Sequence, residues 1–260
     1  MLHIATLNIH KGWSPLNRQL MIHELRTALH GLNPDILFLQ EVQGAHAGHA
    51  ARFGEIWPEA AQHQFLADSS WDTAYGKNLV YKNGHHGNAI LSRFPILHSH
   101  NQDVTHWRVE KRGLLHCQLV TASGVQVHCV SGHFSLFARS RRWQFAALAD
   151  YVDTHVPAQM PLIIAGDFND WTNRAETQLG QRLGLTEIFS QHAARHTSGT
   201  GKPARSFPAI FPILRLDRIY VRGFEVLAAE RLHGKPWSDL TDHAALSACL
   251  LPSSLGLRNC

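Results

Sequence analysis

The strongest constraint on how this 260-residue chain can fold is a succession of short apolar runs, each closed by a turn former or a polar residue. They are HIATLNI (3–9), DILFLQ (35–40), NLVY (78–81), NAILS (88–92), GLLHCQLV (113–120), VQVHCVS (125–131), PLIIAG (161–166), LDRIYV (216–221) and AALSACL (244–250). Runs this short and rich in Ile, Leu and Val read as strands. Several are apolar without alternation, which demands a sheet covered on both faces. Only two segments carry a clear helical period. One runs from Asn17, as N-cap, to about Leu32, with Leu20, Met21, Leu25, Ala28 and Leu29 on one face. The other opens at Ser140, with Trp143, Ala146, Ala147, Tyr151 and Val152 as its inward stripe, and Pro157 and Pro161 close it. A parallel barrel needs more helices than this. The pattern predicts an α/β fold in which a two-layer mixed β-sheet sandwich is flanked by helices. The weakly periodic stretch 180–211 reads as a long connection around the site, and no linker divides the chain, so residues 1–260 are expected to form one domain.

With 44% hydrophobic and 17% charged residues the chain can bury a sizeable core, which excludes disordered and fibrous classes. A net charge of +4, with 20 histidines that gain charge as pH falls, is compatible with a polyanionic substrate; no block of like charges marks a nucleic-acid tail. The N-terminus MLHIATLNIHKG has neither a basic leader nor a long apolar core, and no run reaches the length of a membrane span. A cytoplasmic monomer is the expectation. Cys117, Cys129, Cys249 and Cys260 have no metal-type spacing. Cys117 and Cys129 can face each other across a hairpin, but one step of register separates them, and no disulfide is expected.

Residues able to hold a hard cation recur at the ends of the apolar runs: Asn8, Glu41, Asp167, Asn169 and Asp242. Strand ends gather distant sequence positions onto one rim. Oxygen donors without a cysteine or histidine cage suit Mg2+ or Mn2+. Singly, each residue is better explained as a turn or a solvated carboxylate; the joint placement points to a site. Asp170 reads as a turn cap, and Arg139, Arg141 and Arg142 as water-facing residues opening a helix.

The blocks TLNIHKG, LQEV, GNAILSRFPI, GHFSL, AGDFNDW, LRLDRIYV and SDLTDHAAL occur in the order that resembles the endonuclease/exonuclease/phosphatase superfamily. The stretches LNIHKG, YGKN, GHHGNAILSR and LRLDRIYV are similar to its bacterial YbhP-like branch. The resemblance implies a DNase I-like, four-layer α/β/β/α fold and a metal-dependent phosphoesterase. It implies Glu41 as principal metal ligand with Asn8 and Asp242 near the ion, and Asp167 orienting or deprotonating water. Asn169 would bond transition-state oxygens, His133 and His243 phosphate, and Asp217 would pair with His243. Whether His243 is base, acid or phosphate clamp stays open. Asn88 and Arg112 are substrate-contact candidates. The substrate class implied is a phosphodiester, in nucleic acid or in a phospholipid headgroup, with Trp71, Trp107 and Phe137 as candidates for a lipid-facing rim. The histidine block departs from the family's common Thr-His-Leu, reading Gly132, His133, Phe134. Two alternatives remain: a calcineurin-like two-metal phosphatase, prompted by Gly166, Asp167 and Asp170, and a non-catalytic binding module.

Overall fold

The computed structural model describes residues 1–195 and 201–253. In chain order its strands are β1 (Leu2–Asn8), β2 (Ile36–His46), β3 (Asp72–Tyr81), β4 (Gly84–Ser92), β5 (Ile96–Asp103), β6 (Gly113–Val120), β7 (Gln126–His133), β8 (Leu162–Asp167), β9 (Thr186–Glu187), β10 (Asp217–Arg222), β11 (Phe224–Arg231) and β12 (Leu246–Pro252). The helices are α1 (Ile22–Leu32), α2 (Ala47–Phe53), α3 (Gln62–Ala67), α4 (Ala138–His155), α5 (Gln181–Leu183), α6 (Ile188–Arg195) and α7 (Trp237–Leu240).

The strands form two six-stranded sheets, ordered β11-β12-β1-β2-β4-β3 and β5-β6-β7-β8-β10-β9. Each sheet has one parallel pair near its centre, β1 with β2 and β7 with β8, crossed over by α1 and α4 respectively. The other pairings are antiparallel. Between the sheets lies an apolar layer that includes Ile4, Phe38, Ile90, Cys117, Ile163 and Ile219. Leu25, Leu29 and Leu66 of α1 and α3 pack on the outer face of the first sheet. Phe145, Leu148 and Val152 of α4 cover the second, giving the four layers α/β/β/α. Because the central strands are covered on both sides, they appear in the sequence as unbroken apolar runs.

Several local expectations fail for identifiable reasons. Asn17 is not a cap: it lies in a turn at φ 53°, and α1 begins at Ile22 after Met21. In α4, Trp143 is 44% exposed and Ala146 also faces water, whereas Gln144, Phe145, Leu148 and Ala149 point inward. The phase is set by the cluster of Phe134, Phe145 and Phe168, whose members are distant in sequence. The stretch 180–211 is not a plain connection, since it contains α5, β9 and α6. Trp71 is buried, its indole N–H donating to the Pro34 carbonyl, and cannot serve a rim. Cys117 and Cys129 are register partners and free thiols; Cys260 lies outside the described residues.

Toward one end the layer between the sheets turns polar. Gln40 Nε2 donates to Thr6 Oγ1 and Ser131 Oγ, and Asn88 Nδ2 to the Gly113 and Ser131 carbonyls, so hydrogen bonds tie the sheets together beneath the strand ends. At that end Gly166 (φ 145°) lies beside Gly132; a Cβ there would come within 2.0 Å of the Gly132 carbonyl oxygen. Only glycine lets β7 and β8 approach so closely just before Asp167.

Candidate active site

The carboxyl ends of both parallel pairs open on the same rim. Asn8 ends β1, and His133 and Asp167 are register partners at the ends of β7 and β8. Asp217 begins β10 directly opposite Asp167. The segment before β12 brings His243 over the same place, with Thr241 Oγ1 donating to the Asn8 carbonyl. A cleft of about 250 Å³ results, lined by Asn8, Glu41, Arg112, His133, Asp167, Asn169 and His243, with Leu136, Trp171, Phe207, Leu214 and Leu216 as apolar walls.

Asp167 is the hub. Its Oδ2 accepts from Asn8 Nδ2 at 3.2 Å and stands 3.5 Å from His133 Nε2 and 3.8 Å from His243 Nε2. Its Oδ1 accepts from the backbone N–H of Asn169 at 3.0 Å. Asn169 reaches the cleft by a turn at φ 48°, and one of its amide hydrogens is spent on the Phe134 carbonyl. Asp170 caps that turn as expected, accepting from Thr172 Oγ1 and Ala175 N. This leaves its side chain no part in a G-D-x-x-D metal element.

His243 Nδ1 donates to Asp217 Oδ2 at 2.9 Å, and both groups are buried. Burial opposes a charge on the imidazole, but Asp217, then Asp167, outweigh it and push His243 up to about 10. Burial, aided by Asp217 and resisted by His243, Asn169 and Asn8, lifts Asp167 to about 6. His133 goes the other way: burial and the Arg112 guanidinium hold it well below its ordinary value. Near neutral pH the cleft therefore presents a carboxylate, a neutral imidazole and an imidazolium within 4 Å of one oxygen.

Glu41 arrives by a different device. The register of β2 against β4 shifts between Leu39 and Val42, and Glu41 sits in that bulge at φ 54°. A bulge re-aims one side chain. Leu39 and Val42 both face the helix layer, while Glu41 turns into the cleft. Burial works against its charge, but His133, in the acid range where its ring is protonated, and Lys11 more than compensate and hold it below the usual carboxylate range. Lys11 Nζ lies 2.7 Å from Glu41 Oε2.

The remaining expected residues divide. Arg112 lines the cleft; one of its terminal nitrogens donates to Glu110, and its Nε–H is buried without a partner. Asp242 stands 3.4 Å from His10 Nδ1, outside the lining. Asp217 lies behind His243, and Asn88 beneath the floor as a tie between the sheets. Arg139 and Arg142 face water as expected, but Arg141 is buried, donating to the Ser135 and Leu136 carbonyls beneath the Trp171 ring. Two residues escaped notice in the sequence. Lys11 was visible only as a cation in LNIHKG, and Arg218, fully buried, bonds the carbonyls of Asp170, Arg215 and Asp217. Among the described residues, Asp167, Asp217 and His243 also form a group whose ligand atoms lie within 4.8 Å of one another, a spacing that could hold a metal.

Two mixed sheets flanked by helices, with acid, amide and imidazole groups gathered at one rim, make a four-layer α/β/β/α fold with a polar cleft at the ends of its parallel strands. Residues 5–243 match the profile of the Endonuclease/Exonuclease/phosphatase family, and the chain belongs to that family. It is 45% identical over 247 residues to the uncharacterized protein YbhP of Escherichia coli (strain K12), a match covering 94% of both chains. Among solved structures it resembles an endonuclease/exonuclease/phosphatase from Beutenbergia cavernae, with TM-score 0.78 and 18% identity over 97% of this chain and 72% of that one. A mannosyl-6-phosphatase of Bacteroides thetaiotaomicron superposes with TM-score 0.73 and 16% identity, covering 96% of this chain and all of the other. The family membership displaces the calcineurin-like alternative.

Proposed function

We propose that the cleft hydrolyses a phosphodiester, in nucleic acid or a phospholipid headgroup, by metal-assisted in-line attack of water. The observation that carries this reading is the setting of Asp167 Oδ2, which faces one amide and two histidines of opposite charge state. Asp167 would take the proton of the attacking water at Oδ2, a role suited to a carboxylate lifted to about 6. Asn169 keeps one amide hydrogen, and Arg112 its unpartnered Nε–H, for phosphoryl oxygens. His243, held cationic by Asp217, cannot be a base near neutral pH and would instead clamp the phosphate through Nε2–H. His133 would add a neutral donor or acceptor.

The residues also fit a hard divalent ion. Glu41, ionised and turned into the cleft, would be its principal ligand, with Asn8 beside it and Asp242, outside the cleft lining, reaching the ion only through its waters, and Mg2+ or Mn2+ suits such a set. When bound, the ion supplies a Lewis acid for the phosphoryl oxygen and positive charge for the departing one. The trio of Asp167, Asp217 and His243 suits proton work better, because an imidazolium bonded to a carboxylate at 2.9 Å has no lone pair to offer a metal. The test is turnover of bis(p-nitrophenyl) phosphate, abasic DNA, RNA and phospholipids with Mg2+ or Mn2+. We expect Asp167→Asn to lose at least about a hundredfold in turnover with unfolding temperature unchanged. Wild-type rates in that variant, or no metal-stimulated turnover of any phosphodiester, would refute the reading.

A further inference from the structure

The mouth of the cleft is bordered by loops that expose large apolar side chains to water. Residues 207–214 read FPAIFPIL, without one polar side chain, and leave the cleft wall at Phe207 to return to it at Leu214. At the tip between them Ile210 is 72%, Phe211 75% and Ile213 51% exposed. Leu136, another wall of the cleft, and its neighbour Phe137 are similarly exposed, and Trp107 packs edge-on against Phe137 at 5.6 Å. Beside the last pair lies a second cavity, of about 470 Å³, shared with Arg139. Single exposed apolar residues are ordinary, but a ring of them around one opening marks a surface that meets something apolar.

The exposed charge on these loops is predominantly positive. In the segments 105–112, 136–142, 171–174 and 207–214 the exposed charged residues are Arg108, Arg139, Arg142 and Arg174, and the nearest exposed acids, Asp103 and Glu176, stand two residues outside those segments. The sole acid within them, Glu110, is half-buried and engaged by Arg112 and Ser135. A second copy of this chain would meet these arginines with its own. Single-stranded nucleic acid would also meet them favourably and could stack on Phe211, Phe137 and Trp107, but about half of the exposed apolar tips, Ile210, Ile213, Leu136 and Val109, have no ring face to offer a base, whereas an acyl boundary accepts both kinds. Aliphatic and aromatic tips surrounded by arginines match the boundary between anionic headgroups and acyl chains.

We propose that this ring docks the protein on an anionic phospholipid surface, seating a headgroup phosphate in the cleft. The choice of a lipid substrate rests on the phosphodiesterase reading above, whereas the docking does not. The test is co-sedimentation of the full chain with vesicles of phosphatidylcholine alone and of phosphatidylcholine mixed with phosphatidylglycerol. We expect binding to the mixed vesicles that weakens at high salt. Ile210→Ser, Phe211→Ser and Ile213→Ser together should cut partitioning at least about tenfold. Arg139→Glu with Arg142→Glu should also weaken it. These side chains are exposed, so the variants should keep the wild-type unfolding temperature, and the triple variant should turn over soluble bis(p-nitrophenyl) phosphate at the wild-type rate.

Absence of vesicle binding would overturn the proposal, as would binding that the triple variant leaves intact. It is equally overturned if the wild type associates through this loop into a dimer, or binds single-stranded DNA and not vesicles. Vesicle binding without metal-stimulated turnover of any diester, soluble or lipid, would support the docking while removing the catalytic reading.

Discussion

Replacing Asp217 by Asn removes one charge from the buried centre while keeping the shape of the side chain, and its consequence follows from one contact. Asp217 Oδ2 accepts from His243 Nδ1 at 2.9 Å and is the foremost group holding that imidazole at about 10. The rise from 6.5 is worth about 5 kcal/mol at ~1.4 kcal/mol per unit, divided among Asp217, Asp167 and Asp242 against the opposing effect of burial. Asp217 is the leading of these groups, so its loss lowers His243 toward its ordinary value. The sign follows from the charge. A raised histidine is protonated below its folded value, so both its clamp on phosphate and its contribution to stability are present at neutral pH and are lost as pH rises through that value. In the wild type, kcat/KM for a soluble diester at saturating metal should rise through about 6, as Asp167 ionises, and fall near 10. In Asp217→Asn the alkaline limb should move to lower pH, a roughly tenfold loss near pH 9 with far less near neutrality. Wild-type unfolding temperature should also decline between neutral and alkaline pH, and more steeply than in the variant. An alkaline limb that stays near 10 in the variant, with the rate reduced evenly at every pH, would show that Asp217 only positions the ring and would refute the charge argument.

Glu41→Gln keeps the size of the side chain but not its charge, so activation by Mn2+ should require at least about tenfold more metal, read from a titration of rate against free ion. An unchanged activation curve would move the ion elsewhere, the Asp167–Asp217–His243 group being the first place to look. Gly166→Ala would drive a Cβ to 2.0 Å from the Gly132 carbonyl oxygen at a φ of 145°. It should cost of order 1–3 kcal/mol or more, seen as a drop of several degrees in unfolding temperature; an unaltered melt would contradict the close approach of β7 and β8.

The parts of the fold legible in the sequence were those whose physics is local. Strands such as β6 and β8 are covered on both faces, so their composition alone marks them. Strands β5, β9 and β11 escaped notice because a sheet-edge strand can alternate with water-facing residues such as His98 and His100, and β9 is only two residues long. Helix α4 is legible, and Ala147, Tyr151 and Val152 lie on its inward side as expected, but Trp143 and Ala146 face water, because in its first turns only the partners Phe134 and Phe168 decide which residues turn inward. Arg141 shows the same limit: nothing in RSRR tells which arginine will be buried beneath Trp171.

The chemical inventory of the rim, its acids, amides and histidines at the ends of apolar runs, was written in the sequence, as was the sandwich that carries it. The tertiary structure alone decided how those groups act on one another. Asp167 and Asp217 are neighbours only because β8 and β10 run antiparallel with their ends aligned. Glu41 faces the cleft only because β2 bulges, and Lys11 meets it only because the turn after β1 folds back. Which imidazole is charged depends on burial and on carboxylates within a few ångströms, quantities that exist only once residues far apart in the chain have been brought together.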